Sequence, residues 1–281
     1  MFRVTARLMF VFLAAAPLAA FHPEERQRTR ARAAQEAAPA QSNDAWCQES
    51  QRNADDDAET FCEVREFTLA SGAVAAETSN GSIRVTGERR SDVLVRAMVM
   101  TRARTAARAR EIAREIAVSQ SGTIKATGPR SYDREGWHVS FRIQTPQAAD
   151  LELTSSNGSL GATDVRGRMR LRTSNGGIRL MDVGGDVQAD TSNGSVHATL
   201  SGSRWEGQGL DVSTSNGSVR LSVPEGYNAR LVAGTSNGSI RVGFPVTVQG
   251  RINRDIDTTL GSGGPVIRVR TSNGSVSVER R

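Results

Sequence analysis

The segment TSNGSVRLSV, residues 214–223, contains the motif that decides the fold of this chain. Its first five letters return at residues 78, 191, 235 and 271, and near copies occur as SSNGS at 155–159 and TSNGG at 173–177. Repetition this strict indicates either a backbone geometry or a ligand contact that every copy must reproduce.

The residues around the motif alternate between apolar and polar. From residue 151 onward, the positions six and four before and three and five after the motif asparagine are apolar in every copy. A period of two is typical of half-buried β-strands. The sequence therefore predicts two strands joined by a fixed corner in each repeat.

The spacing of the motif asparagines sets the length of one coil. From Asn157 onward they lie 18, 18, 23, 21 and 36 residues apart. Because the last step is twice eighteen, we expect one degenerate coil between Asn237 and Asn273. We interpret the isolated copy at Asn80 as a first coil that is interrupted by an insertion. Within that insertion, TAARAREIAREIA at 105–117 has an apolar helical face and predicts a short α-helix.

The corner residues have conformational preferences that suit a sharp turn. Asn and Gly enter the left-handed region at low cost, so we expect consecutive positive φ values there. If coils stack, each asparagine amide can hydrogen-bond to the amide above and below it. The predicted corner ladder consists of Asn80, Asn157, Asn175, Asn193, Asn216, Asn237 and Asn273.

Two geometries are compatible with Asn-Gly between alternating strands. A type I′ β-hairpin would make the strands antiparallel. A solenoid would place identical positions about 4.8 Å apart and would require the same side chain at the same phase of every coil. That requirement favours the solenoid. The predicted fold class is all-β, a single-stranded, parallel β-helix-like solenoid with an N-terminal cap that contains one short α-helix.

The first residues have the composition of an export signal. Arg3 and Arg7 precede an apolar stretch, Leu8–Ala20, and the chain then becomes polar. This stretch is too short to span a hydrocarbon core of about 30 Å, so we expect no stable membrane span. The predicted organisation is a signal peptide at 1–20, a flexible leader at 21–45 and one folded domain at 46–281. That domain divides into a cap with the first coil and helix at 46–150 and regular coils at 151–281.

The chain has only two cysteines, Cys47 and Cys62. In an oxidising compartment they predict a disulfide, which could contribute about 3 kcal/mol by closing a loop of roughly 15 residues. The predicted location is the periplasm or the cell surface and extracellular space. The acidic residues between the cysteines, Asp55, Asp56 and Asp57, lack the spacing of a calcium loop.

Charge and composition exclude some partners. The net charge of +6 rests on arginine, because Lys125 is the only lysine, and only 5% of residues are aromatic. Proteins that bind RNA or single-stranded nucleic acid combine basic residues with aromatic residues, so we expect no nucleic-acid partner.

No residue pattern predicts catalysis. His22 lies by the predicted cleavage site, His138 and His197 have no obvious acidic partner in sequence, and the outward positions of the coils form no acidic columns. The sequence therefore predicts no catalytic, cofactor or metal site and no enzymatic activity. A carbohydrate-active enzyme stays an alternative only because parallel β-helices can host one.

Basic residues recur four positions after the asparagine. Arg84, Arg179, Arg220 and Arg241 occupy this outward position, and His197 shares it. Stacked coils would align them in a stripe that could bind acidic polysaccharide, lipopolysaccharide phosphate or another anionic envelope surface. The alternative is a solvated face that only keeps the solenoid soluble.

The C-terminal residues are charged. We expect the last coil to end the solenoid, with Glu279, Arg280 and Arg281 protecting its free strand edge. That edge could instead receive a partner strand.

Several of these motifs resemble a known family. TSNGSIRVTG, TSNGGIRL, TSNGSVRL, the ending GGPVIRVRTSNGSVSV and the segment CEVREFTL at 62–69 are similar to exported bacterial proteins with a repeat-built domain of unknown function labelled putative adhesin. The resemblance covers residue 62 to the C-terminus and implies a β-solenoid outside the cytoplasm. It implies a surface-interaction function, provides no site residues, and leaves a purely structural envelope scaffold as the alternative.

Overall fold

The computed structural model describes residues 44–51, 58–132, 134–246 and 254–281. The predicted signal peptide at 1–20, the predicted leader up to residue 43 and the acidic stretch 55–57 lie outside the described residues. His22 also lies outside them.

The described residues form two helices and twenty strands. The helices are α1 (Ala45–Gln51) and α2 (Ala106–Glu115). The strands are β1 (Glu59–Ala70), β2 (Val74–Asn80), β3 (Ile83–Glu88), β4 (Asp92–Ala103), β5 (Ala117–Val118), β6 (Ile124–Thr127), β7 (Gly136–Pro146), β8 (Leu151–Asn157), β9 (Leu160–Thr163), β10 (Arg166–Asn175), β11 (Ile178–Met181), β12 (Gly184–Asn193), β13 (Val196–Thr199), β14 (Gly209–Asn216), β15 (Val219–Val223), β16 (Ala229–Asn237), β17 (Ile240–Val242), β18 (Asp255–Leu260), β19 (Val266–Asn273) and β20 (Val276–Arg280). The sequence predicts α2 but not α1.

Two ten-stranded sheets face each other in the described part of the chain. Sheet 1 has the order β1-β4-β7-β3-β9-β11-β13-β15-β20-β17, and sheet 2 has the order β18-β16-β19-β14-β12-β10-β8-β2-β6-β5. Each repeat gives one strand to each sheet, and neighbouring repeats pair in parallel, with Asn175 opposite both Asn157 and Asn193. The predicted β-solenoid is confirmed, and the repeats are not antiparallel hairpins.

The core fills the space between the sheets. The apolar positions on both sides of the corner point into it, and Leu171, Leu180 and Val212 are each at most 1% exposed. Burial of such a side chain contributes about 1.5–3 kcal/mol. Because each repeat brings four of these positions, stacking of repeats produces one continuous apolar interior.

The corner asparagines lie one above the other, and six of the seven amide nitrogens donate to the oxygen of a neighbouring amide. The Nδ2 to Oδ1 distances are 3.0 Å for Asn157 to Asn80, 2.9 Å for Asn175 to Asn157, 3.0 Å for Asn193 to Asn175, 3.0 Å for Asn216 to Asn193, 3.0 Å for Asn273 to Asn216 and 2.9 Å for Asn237 to Asn273. One amide ladder therefore joins all seven motifs.

The residue two places before each asparagine is buried at the corner; it is Ser155 in one motif and threonine in the others. In every motif but the first, its hydroxyl donates to a glycine carbonyl of the adjacent repeat, as in Thr191 to Gly176 at 2.8 Å and Thr214 to Gly194 at 2.8 Å. In the first, Thr78 donates to the carbonyl of Val139 at 2.9 Å. A buried hydroxyl without a partner would destabilise the fold. The hydrogen bond explains why a polar residue is tolerated inside the corner.

The expected consecutive positive φ values at the corner do not occur. The described non-glycine residues with positive φ are Arg134, Asp164 and Asp182, so no corner asparagine is left-handed, whereas the corner glycines Gly81, Gly217 and Gly274 have φ values of 141°, 158° and 151°. Glycine is also needed because repeats approach closely: a Cβ on Gly176 would lie 2.1 Å from the carbonyl oxygen of Gly158. Stacking distance therefore requires glycine in the motif, and positive φ is a further reason at three of the corners.

A second corner, which the sequence analysis missed, returns the chain from sheet 1 to sheet 2. Asp164 and Asp182 occupy it with φ values of 55° and 51°. Asp is among the residues that tolerate this conformation. The following Val165 and Val183 turn inward and are buried.

The C-terminal repeat does not end the solenoid. β19 lies between β14 and β16, and β20 lies between β15 and β17. The expected protection of a free edge by Glu279, Arg280 and Arg281 is therefore wrong. The expected degenerate coil is also wrong: the described residues between Asn237 and Asn273 instead contain β17 and β18, and β18 pairs antiparallel with β16.

The insertion after the first coil builds the N-terminal end. β7 pairs parallel with β3, β4 pairs antiparallel with β7, and the edge strand β1 pairs antiparallel with β4. α2 packs against β1 and β4. Arg65 of β1 donates to the carbonyls of Ala113, at 2.7 Å, and Ile116 at the C-terminal end of α2. Cationic donors at a helix C-terminus are favourable.

α1 packs on the outer surface of sheet 1. A disulfide joins Cys47 of α1 to Cys62 of β1, as predicted, with the Cα atoms 5.7 Å apart. Trp46 of α1 and Met98 and Met100 of β4 form a small apolar cluster around it. This cluster is separate from the main core and fixes α1 on the sheet. In the described ranges, no helix has the length and apolar character needed to cross a membrane.

Because the C-terminal repeat is inserted between two others, two valines at equivalent motif positions differ in burial. Val278 and Val242 stand five places after their asparagines, but Val278 is fully buried between two repeats while Val242 lies on the edge strand and is half-buried. Val278→Ala should lower the free energy of unfolding by about 2 kcal/mol, and Val242→Ala by less than half of that. Urea unfolding of both variants measures the difference. A greater loss at Val242 would contradict the inserted position of the last repeat.

The glycine contacts predict a steric effect. Gly176→Ala should destabilise the fold by roughly 2–4 kcal/mol, because its Cβ collides with backbone that cannot move without separating two repeats. Gly161→Ala is the matched control, since its Cβ would have no neighbour closer than 3.7 Å. Thermal unfolding should show a large shift only for Gly176→Ala. Equal shifts would show that stacking distance is not the constraint.

Candidate functional site

One line of outward side chains crosses sheet 1 at right angles to its strands. From β1 to β17 it consists of Glu66, Arg96, Arg142, Arg84, Gly161, Arg179, His197, Arg220, Ser277 and Arg241, each opposite the next in strand register. Neighbouring strands lie about 4.8 Å apart. We call the positions from Arg96 to Arg241 the arginine row.

The arginine row differs from the predicted stripe. It brings Arg84, Arg179, Arg220 and Arg241 onto one face, but Gly161 separates Arg84 from Arg179, and Ser277 of the inserted repeat separates Arg220 from Arg241. It also includes residues that the sequence analysis missed, Arg96 and Arg142. These lie on β4 and β7, which carry no Asn-Gly corner, so only strand pairing could reveal them.

Several arginines in the row have no acidic partner. Among the described residues, no carboxylate lies within the 4.0 Å salt-bridge distance of Arg84, Arg179 or Arg241. Arg220 lies 3.7 Å from Glu279, an exposed pair. At the N-terminal end Arg96 pairs with Glu66, at 3.2 Å, and with Asp44. The positive charge is therefore least compensated in the middle of the face and at Arg241.

Sheet 2 has an outer face of the opposite character. Most of its outward arginines pair with aspartates, as in Arg168–Asp150 at 3.1 Å, Arg170–Asp186 at 2.9 Å, Arg268–Asp211 at 3.0 Å and Arg230–Asp257 at 2.6 Å. Arg270 on β19 is exposed and has no such partner among the described residues. The Arg168 contacts lower the pKa of Asp150, and the hydrogen bond from Arg230 lowers the pKa of Asp257. The two faces thus have the same arginine-rich composition but different charge balance.

The stacked repeats and their corner motifs are those of a known family. The sequence profile of Toastrack DUF4097 matches residues 66–279. The chain belongs to this family. The resemblance predicted from the motifs is thereby confirmed, and the β-solenoid is the fold of this Toastrack chain.

Solved structures resemble this Toastrack chain at low sequence identity. A putative cell adhesion protein from Clostridium sporogenes is 10% identical, with a TM-score of 0.46, and the match covers 79% of this chain and 100% of that one. A putative adhesin from Bacteroides fragilis is 11% identical, with a TM-score of 0.36 and coverage of 78% and 97%. A putative lipid binding protein from Parabacteroides distasonis is 9% identical, with a TM-score of 0.32 and coverage of 77% and 96%. No curated protein matches in sequence.

Small hydroxyl residues border the arginine row of this Toastrack chain. The serines two places after the corner asparagines form a parallel line, with Ser82 Oγ accepting from Ser159 N at 3.3 Å and Ser239 Oγ lying 3.2 Å from Ser275 Oγ. These side chains are too short to cover the neighbouring guanidinium groups. They leave a flat surface with hydroxyls beside cations.

The two histidines among the described residues of the Toastrack chain, His138 and His197, lie on sheet 1. Burial, then Arg220 and Arg179, lower the pKa of His197. Burial and Arg102 lower the pKa of His138 on β7. Both imidazoles are therefore neutral at pH 7, and the charge of the row comes from its arginines. The described residues contain no group of three or more His, Cys, Asp or Glu side chains that could hold a metal ion.

Proposed function

We propose that this chain is an exported, non-enzymatic surface-interaction module that binds acidic polysaccharide along the arginine row. The observation that carries the proposal is the contrast between the two sheets. Most outward arginines on sheet 2 have carboxylate partners, with Arg270 as the exception, whereas Arg84, Arg179 and Arg241 on sheet 1 have none among the described residues. A face that served only solubility would not need this difference.

Repulsion within the row supports an extended anionic ligand. Adjacent strands hold their side chains about 4.8 Å apart, well inside the Debye length of about 8 Å at physiological salt. A linear chain with regularly spaced carboxylates can relieve repulsion at several positions at once. Bidentate pairing of guanidinium with carboxylate adds directional hydrogen bonds.

The surroundings of the row favour a sugar polymer over nucleic acid. Single-stranded nucleic acids bind where aromatic side chains provide stacking platforms. The middle of the row is bordered by serines such as Ser195 and Ser218, whose hydroxyls match the hydroxyl groups of a polysaccharide. A scaffold without a ligand is the second candidate, supported by the continuous core and the amide ladder.

The proposal includes the organisation and location of the chain. Residues 1–20 act as a signal peptide, 21–45 as a leader and 46–281 as the folded domain. The disulfide between Cys47 and Cys62 supports export, because such bonds persist in oxidising compartments. The module acts in the periplasm or at the cell surface.

The row can be tested by removing three charges. Arg179→Ser, Arg220→Ser and Arg241→Ser, combined in one variant, should weaken binding to polygalacturonate at least tenfold, because fewer guanidinium groups meet each polymer segment. Biolayer interferometry at increasing ionic strength measures the affinity and its salt dependence. Dextran is the neutral control polymer.

The matched control removes the same charge from sheet 2. Arg168→Ser, Arg172→Ser and Arg230→Ser in one variant should change polygalacturonate affinity less than threefold, since these arginines already have aspartate partners. Equal losses of polygalacturonate affinity in both triple variants would show that net charge alone determines binding. No binding by the wild-type chain at low ionic strength would leave the scaffold function as the better description.

The gap at Gly161 permits the reverse experiment. A Cβ at Gly161 would have only ordinary contacts, the nearest at 3.7 Å, so Gly161→Arg can be accommodated. It would join Arg84 to Arg179 in one uninterrupted row. We expect polygalacturonate affinity to rise severalfold with a steeper salt dependence. Gly161→Ser is the control, and unchanged affinity in Gly161→Arg would contradict the proposal.

A further inference from the structure

The N-terminal end of the arginine row opens into a groove of about 920 Å³. Its floor is the outer surface of β3, β4 and β7. α1 forms one wall, and Ser131, Tyr132 and residues 135–137 contribute to the other. Arg84 and Arg142 belong to both the row and the groove. A ligand lying on the row therefore reaches the groove without leaving the protein surface.

Aromatic side chains are concentrated in the groove. The chain has three tryptophans and two tyrosines, and Trp46, Trp137 and Tyr132 line this groove. Tyr132 is 70% exposed, which is unusual for an aromatic side chain in the described residues. The guanidinium of Arg142 covers the ring of Trp46 at 4.0 Å. The ring that remains free to contact a ligand is that of Tyr132.

The groove is also basic. Arg84, Arg102 and Arg142 line it together with the neutral His138. Of its two acidic residues, Glu135 is held by Arg108 at 3.1 Å, and Glu49 is exposed and 3.9 Å from Arg142. Burial and the nearby Arg84 lower the pKa of Arg142, which reflects crowding of positive charge. Arg84 and Arg102 are exposed cations with no carboxylate partner in the described residues.

The walls of the groove are held in place. The disulfide and the apolar cluster around Trp46 fix α1. On the other side Trp137 donates its indole N–H to the Pro129 carbonyl at 2.8 Å, and Tyr132 pairs with Glu135 across a short turn. A fixed groove of this size lies within the range of roughly 300–1,000 Å³ that small-molecule sites occupy.

We propose that the groove binds the terminal acidic sugar of the polysaccharide whose chain follows the arginine row. The apolar face of the sugar ring packs on Tyr132, and its carboxylate pairs with Arg102, which lies opposite Gly136 beside the same wall. This inference rests on the proposed function, because the row guides the rest of the polymer. The arginine row attracts any acidic part of the polysaccharide and does not distinguish its terminus. The groove recognises the single acidic sugar at that terminus.

Binding of a short oligosaccharide distinguishes the contribution of the groove from that of the arginine row. Trigalacturonate should bind the wild-type chain in isothermal titration calorimetry, whereas the neutral galactose trisaccharide should bind at least tenfold more weakly. Tyr132→Ala and Arg102→Ser should each reduce trigalacturonate affinity at least tenfold. The triple variant of Arg179, Arg220 and Arg241 to serine should keep that affinity within about threefold, because these arginines lie outside the groove.

Matched controls distinguish recognition from folding and net charge. Tyr132→Phe keeps the ring and should retain most of the affinity, and Arg110→Ser removes an exposed charge from α2 without touching the groove. Thermal unfolding should be unchanged in every groove variant, since Tyr132 and Arg102 are exposed.

The outcomes for the groove and for the row are independent. Absence of trigalacturonate binding by the wild-type chain, equal binding of the neutral trisaccharide, or full affinity in Tyr132→Ala would overturn the groove proposal. Polygalacturonate binding that is lost in the row variant would still support the row. Loss of trigalacturonate binding in the row variant would mean that the trisaccharide lies on the row and not in the groove.

Discussion

The fold depends on how closely one corner can lie above the next. A carbonyl oxygen of each repeat occupies the space where a Cβ of the neighbouring glycine would be, as at Gly176 and Gly194. This contact sets the spacing at which the asparagine amides meet and at which the threonine hydroxyls reach a backbone acceptor. Glycine, asparagine and threonine are therefore three requirements of one stacking geometry, which explains why they recur as a unit.

Register follows from the corner and determines what each surface displays. Because side chains alternate along a strand, fixing the corner fixes which residues point inward and which face solvent. The inward positions join into one core. The outward positions join into lines across the sheets, so a residue repeated once per coil becomes a continuous surface feature. Arg179 and Arg220 reach the same line only because their repeats share a register with His197 between them.

The sequence predicts the parts of the structure that repeat. Parallel stacking, the buried positions and the disulfide all follow from local patterns or from the pair of cysteines. The insertion of the C-terminal repeat between two earlier repeats could not be predicted. Because the corners are identical, any repeat can stack on any other, and the motif carries no information about the order of stacking. Arg96 and Arg142 were missed for a related reason: Arg142 joins the row through pairing of β7 with β3, and Arg96 through pairing of β4 with β7, and no motif marks either pairing. α1 was missed because its place depends on the disulfide and on contacts with Met98 and Met100 rather than on its own seven residues.

The unequal charge balance of the two sheets lowers the stability of the fold only slightly in comparison with what burial of the core contributes. Exposed pairs such as Arg168–Asp150 contribute little to stability, typically below about 1 kcal/mol, so the lack of such a partner at Arg84, Arg179 and Arg241 costs little stability. Repulsion among exposed arginines is likewise small beside the burial of four apolar side chains in every repeat. Stability therefore places weak limits on the outward residues, and the solenoid is free to keep one face paired and the other open to an anionic ligand. The same freedom is missing at the corners, where adding a single methyl group would separate two repeats.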